Sequence, residues 1–320
     1  MNKISKSIAL LFFSALMVVG VIYLAQAGAQ GQSAAEIAQA APASPDAPVI
    51  PPPTVVFTGL MRTDNNITDL DIYPADVDYY NDPRLIGAVP DVSGAPGHVH
   101  YMQAVNEMLA LYRKNGDLVE MTSFASLWMT ATLPAAATAC GIPENHHGQP
   151  NVVYDHLARR WVVSDVAYAN VQTGPYYICI AVSKGNGPVP LTPFFNSTYW
   201  YYYAITTNYG SYHYYPDNPK MTMWGDGYYL SADLYNVDSN GYHDTPRGLK
   251  VWSLNREDMI QGFEDTFRYV DFILDEEWGY EHLLPSNLSG IPAPSNTPNY
   301  FAAIDQGRLY IWEFHSDWNN

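Results

Sequence analysis

RWVVSDVAY (160–168) is one of three similar stretches of sequence that decide the fold. The other two are GYYLSADLY (227–235) and NYFAAIDQG (299–307), and we call each of the three a phrase. Each phrase is aromatic near its start, small or β-branched in its middle and acidic near its end, and a second apolar run follows it. Aromatic and β-branched residues favour strands. The phrases therefore predict a repeated antiparallel hairpin.

Two of the phrases sit inside a complete run of four predicted strands. The first run is PNVVYD (150–155), RWVVSDVAY, YYICIAVSK (176–184) and YWYYYAIT (199–206). The second run is PKMTMW (219–224), GYYLSADLY, LKVWSLNR (249–256) and FRYVDFIL (267–274). The turn at Asp226-Gly227 is a strong hairpin signal between apolar runs. Each run predicts one sheet of four meandering strands.

An earlier unit is indicated by HVHYMQAV (98–105) and MLALYRKNGDLVEM (108–121), with a turn at Asn115-Gly116. We take His98, Trp161, Tyr228 and Tyr300 as equivalent positions, with units starting near 98, 150, 219 and 285. Four-strand units of this length fit a β-propeller better than a solenoid or a sandwich. The prediction is an all-β, β-propeller-like fold of four-stranded antiparallel blades, in an incomplete ring of about three to four blades.

The last unit is expected to lack its outer strand, because the sequence stops shortly after IWEFHSDW (311–318). A truncated ring would expose open sheet edges and apolar end faces, which favour self-association. The alternative is a closed ring whose last sheet is completed by an N-terminal strand such as TVVFTGL (54–60).

The N-terminus predicts export. Lys3 and Lys6 precede an uncharged apolar run at 8–25, and AQA (25–27) offers small residues for cleavage, so 1–27 is a signal peptide or a retained membrane anchor. Residues 28–53 are rich in Ala and Pro and predict a disordered linker, which leaves 54–320 as the propeller-like domain. The protein is expected at an exported location: extracellular, cell-surface or periplasmic.

Charge limits the partners. The net charge of −17 repels nucleic acid and anionic membrane surfaces, so membrane contact is expected only through an uncleaved anchor. An extracellular protein or glycan is the expected partner class. Two cysteines in the exported part, Cys140 and Cys179, predict a disulfide, with two unpaired buried thiols as the alternative.

Long motifs in order resemble a family of secreted bacterial proteins with a β-propeller-like domain. They are GHVHYMQAVNEMLALYRKNGDLV (97–119), PNVVYDHLARRWVVSDVAY (150–168), YYICIAVSK, PDNPKMTMWGDGYYLSADLY (216–235), LKVWSLNREDMIQG (249–262) and NYFAAIDQGRLYIWEFHSDW (299–318). Family members usually carry Gly-Pro-Asn-His where this chain has Ala95-Pro96-Gly97-His98, and they usually continue past the last motif. The resemblance implies fold and export, and it supplies no established activity.

The sequence contains candidate metal ligands, but it does not show that they converge on one site. His98 and His100 would share one face if both lie on a strand, and His146, His147 and His156 follow nearby. An acidic string offers oxygens to calcium without the glycine and spacing of an EF-hand; its members include Asp69, Asp71, Asp76 and Asp78. Structural histidines and a solvated acidic segment are the simpler interpretations. No cofactor is required, and calcium, if bound, would stabilise the fold.

Two function classes remain open. The first is a secreted or surface-tethered binding and structural module, supported by the absence of P-loop, GxSxG, dinucleotide and HExxH signatures. The second is a carboxylate-dependent glycoside hydrolase or related hydrolase, with Asp165, Asp217, Asp233 and Asp305 as candidate acids. Asp155 is predicted to cap the end of a strand and to pair with Arg159 or Arg160. The Tyr-rich runs at 199–203 and 212–215 offer a sugar- or peptide-binding surface, with alternating core and edge packing as the simpler interpretation.

Overall fold

The computed structural model describes residues 91–129, 132–188, 193–208, 210–274, 282–294, 296–305 and 307–319, with the side chain of residue 244 excepted. The predicted leader, linker, TVVFTGL strand and acidic string at 69–78 lie outside the described residues. Inside them the chain forms four antiparallel sheets, each with its strands in sequence order. The predicted all-β, propeller-like architecture is confirmed by these sheets.

Fifteen strands build the four sheets within the described part of the chain. The first sheet contains β1 (Val92–Pro96), β2 (His100–Val105), β3 (Met108–Arg113) and β4 (Leu118–Ser123), and the second contains β5 (Asn151–Asp155), β6 (Arg160–Tyr168), β7 (Tyr176–Ser183) and β8 (Trp200–Thr206). The third contains β9 (Tyr215–Met223), β10 (Gly227–Val237), β11 (His243–Asn255) and β12 (Tyr269–Leu274), and the fourth contains β13 (Leu284–Pro285), β14 (Asn299–Asp305) and β15 (Arg308–Phe314).

Short helices cover the edges of the sheets. They are α1 (Phe124–Met129), α2 (Arg256–Gln261) and the 3₁₀ turns Ala135–Gly141, Pro143–Asn145 and Ser197–Tyr199. Helix α2 begins where the Asn255 side chain accepts from the Asp258 N–H, and it ends at Gly262, whose φ of 81° a glycine adopts without strain. None of the described helices combines the length and apolarity needed to cross a bilayer.

The three largest apolar cores each lie between two successive sheets. On β6, Trp161 and Val163 face the first sheet, whereas Val162 faces the third. Side chains on a strand point alternately to its two faces, so a sheet that is covered on both faces needs an unbroken apolar run. This explains why RWVVSDVAY and YYICIAVSK are apolar at almost every position. The third core joins the third and fourth sheets around Tyr229 and Phe314.

In the second, third and fourth sheets, the second strand is the one that a repeated phrase predicts. The predicted partner strands are confirmed to within a few residues in the second and third sheets. Two details of the alignment are wrong. Strand β2 begins at His100, because Gly97 donates its N–H to the His100 carbonyl and turns the chain at His98. Tyr300 is not equivalent to Trp161, because Phe301 is the residue that faces the preceding sheet; a shift of one residue changes the face of the strand.

The fourth sheet has three strands among the described residues, and one of its faces is open. Phe301 and Trp312 point into the third core. On the opposite face Leu284, Ile304, Leu309 and Ile311 are 51%, 76%, 62% and 50% exposed. Within the described residues, the four sheets therefore form an incomplete ring, as the sequence predicted.

A buried ion pair ties the second sheet to the third. Asp155 accepts from Arg256 Nε at 2.6 Å, from Arg256 Nη2 at 3.1 Å and from the Tyr228 hydroxyl at 2.8 Å. Its Oδ1 also accepts from the Leu157 and Ala158 N–H groups. The predicted cap is confirmed, but the predicted partners Arg159 and Arg160 are wrong, because helix α2 brings Arg256 onto the carboxylate. This pair fixes the two sheets against each other.

The predicted disulfide is confirmed. Cys140, in the 3₁₀ turn after α1, is bonded to Cys179 on β7, with the two Cα atoms 5.9 Å apart. The bridge closes a loop across 39 residues of sequence separation. It pins the connection between the first and second sheets onto the core that those sheets share.

Candidate functional site

The first strands of successive sheets contact one another, so β1, β5, β9 and β13 lie around the centre of the arc. At one end of these strands is a cavity of about 290 Å³, which we call the axial pocket. Its lining comes from all four sheets or the turns that lead into them: Asp91, Val92, Gln149, Pro150, Asp217, Asn218, Pro219, Lys220 and His282. The centre of the arc is therefore a polar cavity.

Left-handed backbone is concentrated at this cavity. Gln149, Asn218 and His282 have φ values of 55°, 49° and 57°. The left-handed conformation costs free energy for any residue that carries a side chain. Such residues persist only where the surrounding structure holds them, and they cluster at functional sites. Prolines follow two of them, at Pro150 and Pro219. The turns into β5 and β13, and the bend within β9, thus aim three polar side chains at one cavity.

Gln149 holds the wall of the axial pocket together. Its amide nitrogen donates to Asp217 Oδ1 at 3.0 Å and to the Tyr215 hydroxyl at 2.9 Å. Its carbonyl oxygen accepts from the Asn218 N–H at 2.8 Å. One amide therefore uses both of its ends to join the second sheet to the third and to orient the Asp217 carboxylate.

Asp91 stands across the cavity from this network. The Asn106 side chain accepts from its N–H at 2.9 Å, and its carbonyl accepts from the Asn106 N–H at 3.0 Å, so its backbone is fixed. Burial by the pocket walls and the neighbouring Asp217 raise the pKa of Asp91, and Lys220 acts against them. The pocket thus pairs two carboxylates, of which one takes up a proton more readily than an ordinary aspartate.

Asp233 lies directly behind the pocket wall. It is the cross-strand partner of Asp217, and side chains at such positions lie on one face at short range. His282 donates its N–H to Asp233 Oδ1 at 3.0 Å, and its Nδ1 is 2.7 Å from Oδ2. Burial raises the pKa of Asp233, and Asp217 adds to this effect against the opposing His282 groups. His282 therefore contacts one of two neighbouring carboxylates.

Aromatic rings support this wall from inside the fold. Tyr215, Tyr168 and Tyr176 pack edge to face with ring centroids 5.6–5.8 Å apart, and the His243 ring centroid lies 4.2 Å from that of Tyr215. Because the Tyr215 hydroxyl accepts from Gln149, this packed cluster also fixes the orientation of the amide. The polar pocket thus has a rigid apolar backing.

The structure separates the predicted acids. Asp217 lines the axial pocket and Asp233 contacts its His282, whereas Asp165 and Asp305 lie elsewhere. Asp165 is fully buried on β6, where its Oδ2 is 2.6 Å from His146 Nδ1. Asp305 ends β14 on the fourth sheet. Sequence reasoning missed Asp91, Gln149, Asn218, Lys220 and His282. The Gln-Pro and Asn-Pro pairs at the starts of two units were the available signal.

The histidine candidates do not converge. His98 lies in the turn before β2, while His100 begins β2 beside Gly187. His146 pairs with Asp165, and His147 stacks on Tyr168 with ring centroids 3.8 Å apart. Among the residues that the structure describes, no three His, Cys, Asp or Glu side chains are grouped as a metal site. Calcium at the acidic string remains a prediction, since that string lies outside the described residues.

Comparisons with known proteins add little. No protein-family model matches the chain, and no curated protein is similar to it. Among solved structures, an exo-1,5-α-L-arabinanase from a bovine ruminal metagenomic library is similar, with 12% identity and a TM-score of 0.33 over 72% of this chain and 95% of that one. A likeness at this level carries no argument. The resemblance to a secreted bacterial family therefore stays a prediction, and the fold rests on the sheets themselves.

Proposed function

We propose that the protein is an exported binding module whose axial pocket binds a polyhydroxylated ligand, such as a sugar of an extracellular glycan. One observation carries this proposal: hydrogen-bonding side chains from separate sheets converge on one cavity. The pocket offers the acceptors Asp91 and Asp217 and the donor Lys220, with the amide of Asn218 beside them. Sugar hydroxyls both donate and accept, so they match this mixture.

The pocket also has suitable dimensions and stiffness. Its volume of about 290 Å³ is at the lower end of the roughly 300–1,000 Å³ typical of small-molecule sites. Gln149 and the packed tyrosines hold the Asp217 carboxylate in place before a ligand arrives. A site of this kind loses little conformational entropy when it binds. The ligand class is thus a single sugar unit or a small polyol.

Export is supported by the N-terminal apolar run and by the Cys140–Cys179 bridge. Disulfides form and persist in oxidising compartments, and they are rare in the cytosol. A glycan or protein outside the cytoplasm is therefore the partner that the chain would meet.

Calorimetric titration of the full-length exported protein tests the binding proposal. The probes are glucose, xylose, arabinose and galactose, each also as a linear hexamer. We expect at least one probe to bind, and we expect Asp217→Asn to weaken that binding roughly tenfold or more, since hydrogen bonds to charged groups contribute about 1.5–3 kcal/mol. The matched control is Asp117→Asn, in the exposed β3–β4 turn. No binding by any probe, or equal affinities for the two variants, would overturn the proposal.

A second function is favoured by one specific observation. Asp91, whose pKa is raised, and Asp217 line the same cavity, and glycoside hydrolysis uses a carboxyl group of raised pKa beside a second carboxylate. If the protein is a hydrolase, the wild type will release reducing sugar from a hexamer, and Asp91→Asn will abolish release while retaining binding. If it is a binding module, the hexamers remain intact.

A further inference from the structure

We propose that Tyr212 and Tyr214 form a second subsite, an aromatic platform beside the axial pocket, so that the preferred ligand is an oligosaccharide rather than a single sugar. This inference rests on the proposed function and deepens it. The axial pocket would hold one sugar unit through hydrogen bonds, and the platform would hold a neighbouring unit through its apolar face.

The two rings are parallel and stack on each other. Their centroids are 6.1 Å apart and their planes differ by 7°. Tyr212 is 64% exposed. A tyrosine ring offers an apolar face and a hydroxyl at its edge. A pyranose or furanose ring offers the complementary pattern, with C–H bonds on its faces and hydroxyls around its edge.

Hydrogen bonds hold the segment that carries the two tyrosine rings. The Thr207 hydroxyl donates to the Tyr214 carbonyl at 2.5 Å, and His213 Nδ1 is 2.6 Å from the Asn208 side-chain oxygen. Lys250 Nζ donates to the Asn208 carbonyl at 2.8 Å. These bonds fix the segment without using either tyrosine ring. A preformed surface binds with a smaller entropy cost than one that must be ordered.

The platform is close to the axial pocket along the chain. Tyr214 is followed by Tyr215, which begins β9, and Asp217 lies two residues further on. Three extended residues span at most about 11 Å, so Tyr214 lies within the length of a short oligosaccharide from the pocket acid.

The tyrosines at 212–215 thus have two different roles. Tyr215 is 1% exposed and packs in the cluster behind Gln149, so it is structural. Tyr212 and Tyr214 contact each other and are not members of that cluster. Core packing explains the first of these residues, whereas Tyr212 is exposed and Tyr214 is half-buried, so solvent reaches the pair.

The test compares the affinity of the full-length protein for a linear sugar hexamer with its affinity for the corresponding monosaccharide. The probe is whichever sugar binds in the panel above. We expect the hexamer to bind more tightly, and we expect Tyr212→Ala and Tyr214→Ala each to weaken hexamer binding by about 3- to 10-fold. Monosaccharide affinity should stay unchanged, and Tyr212→Phe should keep most of the hexamer affinity.

A matched control is Tyr269→Ala, which removes an exposed ring from the outer strand of the third sheet. Unfolding midpoints of all variants show whether the fold is retained. A hexamer that binds no better than its monosaccharide, or alanine variants that match Tyr269→Ala, would overturn the platform while the pocket proposal stands. A panel in which no sugar binds would overturn both.

Discussion

The second and fourth sheets use the same sequence phrase and have different surroundings. In the second sheet, residues 161–168 of β6 are all buried, because the first and third sheets cover its two faces. In the fourth sheet, β14 alternates, with Phe301 and Ala303 inside and Ile304 exposed. The local pattern thus determines the strand, and the position in the ring determines how much of that strand is buried.

The largest expected contrast concerns acids at the ends of β5 and β14. Asp155→Ala should cost about 3–5 kcal/mol of unfolding free energy, because it leaves the largely buried Arg256 guanidinium and the Tyr228 hydroxyl without their shared acceptor. Asp305→Ala, at the end of the second strand of the fourth sheet, should change stability by no more than about 0.5 kcal/mol. Chemical denaturation of both variants measures the difference. Equal losses would mean that the ion pair does not fix the second and third sheets together.

A second contrast concerns two histidine–carboxylate pairs. His146 donates from Nε2 to the Cys140 carbonyl, and its Nδ1 shares a proton with Asp165 at 2.6 Å inside the core. Burial opposes a charge on His146, but Asp165, the Cys140 carbonyl and nearby Glu107 raise its pKa above its usual value. In the fourth sheet, Glu313 lies on β15 and its Oε2 is 3.3 Å from Nε2 of His315, and both side chains are exposed.

The sign of the pH effect follows from proton uptake. A histidine whose pKa is raised by folding stabilises the native state below its unfolded pKa, and this contribution is lost as the pH rises through the folded value. Above about pH 6.5 the free energy of unfolding should therefore fall by up to about 1.4 kcal/mol per pH unit. His146→Gln should flatten this slope, whereas His315→Gln should leave it unchanged. Denaturation at several pH values measures this slope for both variants, and the neighbouring His147 is left unchanged in each.

The smallest effect on stability is expected at the open face of the fourth sheet. Ile304→Lys and Ile311→Lys should each change the free energy of unfolding by no more than about 0.5 kcal/mol, since both side chains are already exposed. They should nevertheless reduce self-association, because they place charge on a contiguous apolar face. Sedimentation velocity measures this, with Leu118→Lys on the first sheet as the control. A wild type that stays monomeric at every concentration would contradict the expectation.

Much of the fold could be predicted because its evidence is local. Alternation of apolar residues, the Asp226-Gly227 turn and the recurrence of one phrase are all read within a few residues. The predicted equivalence of Tyr300 was wrong by one position, since both neighbours are aromatic and only the packed core tells which one points inward. Strand β1 was missed because VSGAP carries a glycine, an alanine and a proline where strand formers are expected.

The site was predicted poorly because its evidence is not local. Asp217 and Asp233 were among the candidates, but so were Asp165 and Asp305, and the four carboxylates look alike in sequence. What distinguishes Asp217 is Gln149, 68 residues earlier, which the sheet geometry brings within 3.0 Å. The sequence alone does not indicate the hydrogen bond between Gln149 and Asp217. His282 was likewise visible only once β13 had been placed beside β9.

The meandering order of the strands has a consequence for biogenesis. Each sheet pairs only strands that follow one another in the chain, and each sheet then packs on the one made just before it. A polypeptide that emerges from its N-terminal side can therefore complete a sheet and offer it as a template to the next, without waiting for distant segments. The axial pocket is the exception: its walls come from every sheet, so it is finished last, when the turn that carries His282 arrives.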